Sequence, residues 1–203
     1  MSFQVLNTSG YARRGELTTK TCAVQTPVFM PVGTYGTVKG LTPEHLHDIG
    51  FEIILGNAFH LHQRPGLETI KKFNGLHDFM GWNKSILTDS GGFQIWSLND
   101  LRKITEEGVE FKSPLDGSKI FMSPEDSIDT QLTLNSDIIM AFDECTDYPS
   151  SYEDAEQSMH LTHRWTERSL NYFQEHQKGH LLFGIVQGGM HEELRKQSLA
   201  FMN

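Results

Sequence analysis

The sequence predicts an α/β fold in which successive strand-then-helix units form part of a (β/α) barrel. Short apolar runs recur along the 203 residues, and each is followed by a glycine-rich or polar loop and then by a helix-like stretch. Polar residues follow several different runs, which favours a barrel, because a doubly wound sheet concentrates its site at one switch point. The doubly wound sheet remains the alternative.

The chain begins with a segment in which two stretches, 3–6 and 15–19, are typical of an antiparallel pair. Five apolar runs follow, and we interpret them as parallel strands: 28–32, 53–55, 86–87, 138–142 and 181–186. Most are continuously apolar, as expected of strands that are buried on both faces. A complete barrel needs about 250 residues. We therefore expect an incomplete barrel of about five units, forming one domain over residues 1–203.

The helices and one insertion are predicted from local signals. Thr42 and Ser123 each precede proline and glutamate, which predicts that helices begin there. Residues 152–176 have apolar residues at helical spacing and predict an amphipathic helix. Residues 109–112 and 119–122 flank an Asp-Gly turn, which predicts a hairpin insertion.

Composition excludes several classes of function. The formal net charge of −9 argues against a surface that binds nucleic acid everywhere. The apolar runs are far shorter than the ~20 residues that cross a bilayer, and we see no secretory signal, so we expect a cytoplasmic protein without membrane contact. Two cysteines, Cys22 and Cys145, are too few for a disulfide framework or a multi-cysteine zinc site.

The sharpest candidate site lies directly after the third run. Asp89 ends a predicted strand, where a carboxylate can move a proton, and Gly91 and Gly92 allow close backbone approach to a ligand. A tight turn in which Asp89 and Ser90 merely cap the next helix is one alternative. A phosphate-binding nest is another, and it is less favoured because the carboxylate of Asp89 would repel a phosphate. Phe93 has a ring that could stack on a flat base.

Two later strand ends carry groups that suit a guanine. Asp143 offers a carboxylate, which fits the two adjacent donors on the Watson–Crick edge of guanine. Gln187 offers an amide that can donate to guanine O6, and Gly188 leaves room for the base. For Asp143 a helix cap or an ion pair is the alternative.

A metal-dependent hydrolase is a further possibility. His60 and His62 match the H-x-H pair of such barrels, but that site needs more ligands at later strand ends. Those ends supply no histidine, so we predict no metal site in this chain.

Five segments resemble one known family: FMPVGTYGTVKG (29–40), ILGNAFHL (54–61), TDSGGFQ (88–94), FDEC (142–145) and FGIVQGG (183–189). Over essentially the whole chain they closely resemble the N-terminal portion of the bacterial tRNA-guanine transglycosylases. The resemblance implies an irregular (β/α)8 TIM-type barrel with an added zinc subdomain. It also implies that a 7-deazaguanine replaces the wobble guanine of tRNAs with a G-U-N anticodon, through a covalent enzyme–tRNA intermediate, in queuosine biosynthesis.

The resemblance also implies a role for each site residue. Asp89 becomes the general acid/base for the leaving or entering base, and Asp143 and Gln187 read the base edge. Cys145 matches the bacterial form, which suits 7-aminomethyl-7-deazaguanine rather than queuine. The residues implied to contact the base are Asp89, Ser90, Gly91, Gly92, Phe93, Asp143, Cys145, Gln187 and Gly188.

In the family, the attacking aspartate, the zinc ligands and much of the basic tRNA-binding surface lie beyond the position of Asn203. We therefore expect zinc in full-length members, with none of its ligands in this chain. We also expect no base exchange by this chain alone, tRNA and a 7-deazaguanine base as ligands, and a homodimer. The alternative is a non-catalytic, base-binding or oligomerising protein derived from that family.

Overall fold

Strands and helices alternate along most of residues 2–98 and 102–203, which the computed structural model describes. The strands are β1 (Ser2–Ser9), β2 (Ala12–Thr18), β3 (Ala23–Thr26), β4 (Ile53–Gly56), β5 (Ser85–Thr88), β6 (Lys103–Ile104), β7 (Val109–Lys112), β8 (Lys119–Met122), β9 (Ile138–Met140) and β10 (Leu181–Phe183). The α-helices are α1 (Pro43–Ile49), α2 (Ala58–Leu61), α3 (Leu67–Lys72), α4 (Leu76–Met80), α5 (Gly92–Leu98), α6 (Pro124–Leu134), α7 (Tyr152–His176) and α8 (Glu192–Met202). A π-helical turn, His62–Gly66, joins α2 to α3.

The front segment is an antiparallel sheet in the order β1-β2-β3. Phe3 pairs with Leu17, and Leu17 pairs with Val24 on the other side. The predicted antiparallel pair is confirmed, and β3 is an addition that the sequence did not predict. Val24 is buried, which gives this short strand a contact with the core.

A four-stranded sheet follows in the order β4-β5-β9-β10. The β4–β5 and β5–β9 pairs are parallel, with Ile54 opposite Ile86 and Leu87 opposite Ile138. At β10, the Leu181 N–H donates to the Asp137 carbonyl at 2.8 Å. The α/β prediction with a parallel sheet is confirmed.

The predicted strand at 28–32 is wrong as a strand. Only Val32 forms an isolated parallel bridge, with Leu55, whose N–H donates to the Pro31 carbonyl. Pro27 and Pro31 have no N–H, so a regular ladder cannot form. The runs at 138–142 and 181–186 are longer than their strands. Phe142 is fully buried beyond the end of β9, so its apolar character reports burial rather than pairing, whereas residues 183–186 are exposed or only partly buried.

The hairpin insertion and the helix starts are confirmed. β7 and β8 pair antiparallel over the predicted residues, and β6 adds a third strand. α1 begins at Pro43, where the Thr42 hydroxyl accepts the His45 N–H at 3.3 Å. α6 begins at Pro124, and α7 has the predicted bounds.

The described residues form two compact units. The first contains residues 2–89, 130–139 and 177–181, and the second contains 90–98, 102–129, 140–176 and 182–203. In the second unit the rings of Phe142 and Trp165 stack at 5.1 Å, and Ala155, Met159 and Leu194 join α7 to α8. The single domain over 1–203 stays a prediction. None of the described helices has both the length and the apolarity to span a membrane.

Candidate active site

Asp89, directly after β5, is held by donors from the β4–α2 turn. Its Oδ2 accepts the side-chain amide of Asn57, and its Oδ1 accepts the Ala58 N–H at 2.8 Å. Asn57 is 8 % exposed and precedes the first turn of α2, so this donor is itself fixed. Both carboxylate oxygens therefore accept from N–H groups, and such bonds favour the ionised form.

His60 and His62 make separate contacts. His60 Nδ1 lies 3.3 Å from the Tyr35 hydroxyl, whereas His62 Nδ1 lies 3.3 Å from the Thr130 hydroxyl. Burial lowers the pKa of His60 and outweighs the opposing charge of Asp89. In the part of the chain that the structure describes, no three His, Cys, Asp or Glu residues group as metal ligands, so these residues do not fit zinc.

In the second unit, Asp143 lies between Ser90 and Gln187. The Ser90 hydroxyl donates to Asp143 Oδ1 at 3.1 Å, and the Gln187 amide donates to Oδ2 at 3.0 Å. Among the described residues, the second amide hydrogen of Gln187 has only a 3.5 Å contact, to the Glu144 carbonyl. The three side chains thus form one chain of polar contacts, in which both oxygens of Asp143 are oriented.

The loop that carries Ser90 is fixed by short-range and helix contacts. The Ser90 hydroxyl accepts the Gly92 N–H at 3.3 Å, and the Ser90 carbonyl accepts the Ser127 hydroxyl of α6 at 2.7 Å. Gly91 has φ +86°, a conformation that glycine tolerates best. A Cβ on Gly92 would lie 2.5 Å from the Asp143 carbonyl oxygen, so glycine is required for this close approach.

Cys145, Gly188 and Phe93 complete the predicted set. Burial raises the pKa of the Cys145 thiol to about 12, so it is a neutral thiol at physiological pH. Gly188 has φ +104°, and a Cβ there would lie 2.7 Å from the Arg195 N of α8. The Phe93 ring is 56 % exposed and lies 5.5 Å from the Trp96 ring.

The structure thus brings Ser90, Asp143 and Gln187 into hydrogen-bond contact within the second unit, and Cys145 Sγ lies 3.8 Å from Asp143 Oδ2. Asp89 belongs to the first unit, with its own donors. Asn57 follows an apolar run and fits the strand-end pattern, but it was not among the predicted site residues. Sequence reasoning missed Ser127, for which the sequence has no signal.

Fold and site together define the class: an α/β protein that presents carboxylate and amide groups in the segments that follow strands of its parallel sheet. The family model described as queuine tRNA-ribosyltransferase matches residues 8–203. The chain belongs to this family, the tRNA-guanine transglycosylases, which confirms the predicted resemblance.

Individual relatives agree with the family model. The queuine tRNA-ribosyltransferase of Dechloromonas aromatica (strain RCB) is 60 % identical over 200 residues, covering 98 % of this chain and 54 % of the relative. Those of Acinetobacter baumannii (strain ACICU) and Azoarcus sp. (strain BH72) are 59 % and 58 % identical, again over 98 % of this chain, with 53 % and 54 % of the relatives covered. The chain therefore spans about half the length of these curated relatives.

Proposed function

We propose that this chain is the base-recognition part of a tRNA-guanine transglycosylase. The enzyme exchanges the wobble guanine of tRNAs with a G-U-N anticodon for 7-aminomethyl-7-deazaguanine, a step of queuosine biosynthesis. Family membership supports the reaction class, since the relatives are named queuine tRNA-ribosyltransferases. A 7-deazaguanine keeps the N1 and N2 donors and the O6 acceptor of guanine, so one polar site serves both bases.

The contact chain of Ser90, Asp143 and Gln187 is the observation that carries the proposal. A carboxylate accepts two parallel hydrogen bonds, which suits the two adjacent donors of the base edge. Gln187 donates one amide hydrogen to Asp143, while its other hydrogen has only the weak 3.5 Å contact with the Glu144 carbonyl. A base oxygen at O6 readily replaces a contact that long.

Asp89 supplies the proton transfer. Its contacts with Asn57 and Ala58 favour the carboxylate, which is ready to accept the proton that the entering base gives up. The protonated form then supplies the proton to the base that leaves in the next turnover, so one complete exchange causes no net change in the protonation of Asp89. In the proposed reaction a second carboxylate, outside these 203 residues, attacks the ribose and forms the covalent intermediate, which splits one hard displacement into two easier ones.

Calorimetry with guanine and 7-aminomethyl-7-deazaguanine tests the proposal. Asp143→Ala removes a charge-assisted acceptor worth about 1.5–3 kcal/mol, so we expect binding to weaken by roughly ten- to 150-fold. Asp48→Ala is the matched control, because it removes the same charge from an exposed position. Equal affinity of wild type and Asp143→Ala would contradict base reading by Asp143.

Incorporation of labelled guanine into substrate tRNA tests the catalytic part. We expect none from the 203-residue polypeptide alone, because the attacking carboxylate is absent from it. Exchange by the purified polypeptide would refute this assignment of the nucleophile, and it would also exclude the non-catalytic alternative.

We further infer that the parallel sheet belongs to an incomplete, irregular (β/α)8 barrel, and that the protein acts as a cytoplasmic homodimer. Zinc is expected in the full-length enzyme, held by residues outside this chain. Sedimentation at several concentrations tests the dimer, and a monomer throughout would contradict it.

A further inference from the structure

Ser198 connects α8 to the backbone of Gln187. It is fully buried, and its Oγ lies 2.9 Å from the Gln187 N, which donates to it. The same Oγ lies 3.0 Å from Nε2 of His163 in α7, which is 8 % exposed. None of the site motifs includes Ser198 or His163.

The direction of these hydrogen bonds follows from their chemistry. A backbone N–H only donates, so the Ser198 hydroxyl accepts from Gln187 and directs its own hydrogen to Nε2 of His163. His163 is then the neutral tautomer with its proton on Nδ1. A proton on Nε2 would leave the buried hydroxyl hydrogen without an acceptor among the described residues, which is costly.

The surroundings of His163 favour this neutral ring. Burial lowers its pKa, the neighbouring His160 lowers it further, and Glu167 opposes the two. The ring also stacks on Phe201 of α8, with centroids 4.0 Å apart and planes at 7°. The acceptor nitrogen therefore has a fixed position in the interface between α7 and α8.

Gln187 is held on both sides of its Cα. Its N–H is bound by Ser198, and on its carbonyl side Gly188 packs so closely on α8 that a Cβ would lie 2.8 Å from the Leu194 Cβ. A displacement of this backbone would carry the side-chain amide away from Asp143, which it contacts at 3.0 Å.

We propose that Ser198 and His163 are positioning residues that set the place of the Gln187 amide and thereby the affinity for the base. His163 orients the Ser198 hydroxyl, and Ser198 anchors the Gln187 backbone. The link to base affinity rests on the proposed function, whereas the anchoring of Gln187 does not.

Base affinity in a double-variant cycle tests the link. Ser198→Ala leaves the partly buried Gln187 N–H without its acceptor, and we expect base binding by this chain to weaken by about five- to tenfold. In a Gln187→Ala background the same change should have no further effect, because Ser198 acts through Gln187. An equal loss in both backgrounds would show a merely structural role and overturn the proposal, as would unchanged affinity of the single variant.

His163 variants separate the hydrogen bond from the packing. His163→Phe keeps the stacked ring and lacks the acceptor, so it should weaken base binding as Ser198→Ala does, but by less, because the Ser198 oxygen still accepts the Gln187 N–H. His163→Gln supplies an acceptor and should restore affinity in part. If the two variants bind the base as tightly as wild type, the role of His163 is refuted.

Nuclear magnetic resonance tests the anchoring without any base. In the wild type we expect ¹⁵N shifts of the Nδ1–H tautomer at His163, and Ser198→Ala should accelerate amide hydrogen exchange at Gln187 by at least about tenfold. An Nε2–H tautomer, or unchanged exchange, would overturn the anchoring. If Ser198→Ala accelerates amide hydrogen exchange at Gln187 but Gln187→Ala leaves base affinity unchanged, the proposed function is wrong. The anchoring of the Gln187 backbone by Ser198 then still holds.

Discussion

Gly92→Ala should damage base recognition by displacing Asp143. The new Cβ would lie 2.5 Å from the Asp143 carbonyl oxygen and 3.0 Å from its Oδ1, where ordinary contacts are 3.4–4 Å. One of the two segments must therefore move by about 1 Å. Overpacking of this kind lowers the free energy of unfolding by ~1–3 kcal/mol. Alanine is the better helix former at the start of α5, which offsets at most ~1 kcal/mol of this loss.

Two measurements follow from that displacement. The melting temperature should fall by up to about 12 °C, since the net cost is at most ~3 kcal/mol and ~1 kcal/mol corresponds to ~2–4 °C in a chain of this size. A shift of about 1 Å breaks hydrogen bonds to Asp143, so calorimetry should show roughly ten- to 150-fold weaker binding of 7-aminomethyl-7-deazaguanine.

Gly33→Ala is the matched control for the same chemical change. Its Cβ would meet its nearest neighbour at 3.5 Å, an ordinary contact, and its φ is not positive. We expect its base affinity to match wild type. If Gly92→Ala also matches wild type in affinity and melting temperature, the close approach of Gly92 to Asp143 does not control the site.

Two further predictions follow from titrating groups. Burial raises the pKa of the Cys145 thiol to about 12. Near pH 8, alkylation of Cys145 in the folded protein should therefore be at least about a hundredfold slower than in urea. Mass spectrometry on a Cys22→Ser background measures the two rates, and equal rates would refute this. Burial acts to raise the pKa of Asp137, but hydrogen bonds from His77 and the Ile86 N–H lower it overall. The ionised carboxylate therefore stabilises the fold at a pH above its ordinary pKa. This contribution is lost as the pH falls through the pKa that Asp137 has in the folded protein. Asp137→Asn should cost about 1–3 kcal/mol in urea unfolding at pH 7, and the difference from wild type should shrink below about pH 4; a pH-independent difference would contradict this.

The sequence predicted the regular parts of the fold because their signals are local. Thr42 before Pro43 defines a helix start through one turn of chain, and α1 begins there. The strand predicted at 28–32 is wrong for a reason that is also local. Pro31 has no N–H, so the strand pairing lacks a hydrogen-bond donor there, and a pattern of apolar residues does not reveal this. β3 gave no signal, since Val24 is its one buried apolar residue.

The candidate site, like the fold, could be predicted from the sequence only in part. Asp143 could be predicted as an acceptor at a strand end, but its hydrogen-bond partners could not. Ser90 lies 53 residues away in sequence and Gln187 lies 44 away, and no spacing rule connects them. The chemistry of Asp143 and Gln187 suited a guanine, the family resemblance gave each residue its role, and the contacts within the second unit provide a geometry with which to test those roles.

Helices outside the site motifs fix the residues that face the proposed ligand. Ser127 of α6 binds the Ser90 carbonyl, and Ser198 of α8 binds the Gln187 N–H. Serine in a helix often bonds to its own backbone, so neither residue is conspicuous in sequence. Because these contacts locate the two neighbours of Asp143, substitutions on α6 or α8 should change base affinity without touching the base. On the proposed function, base recognition should therefore depend on the position of these two helices as well as on the strand-end motifs.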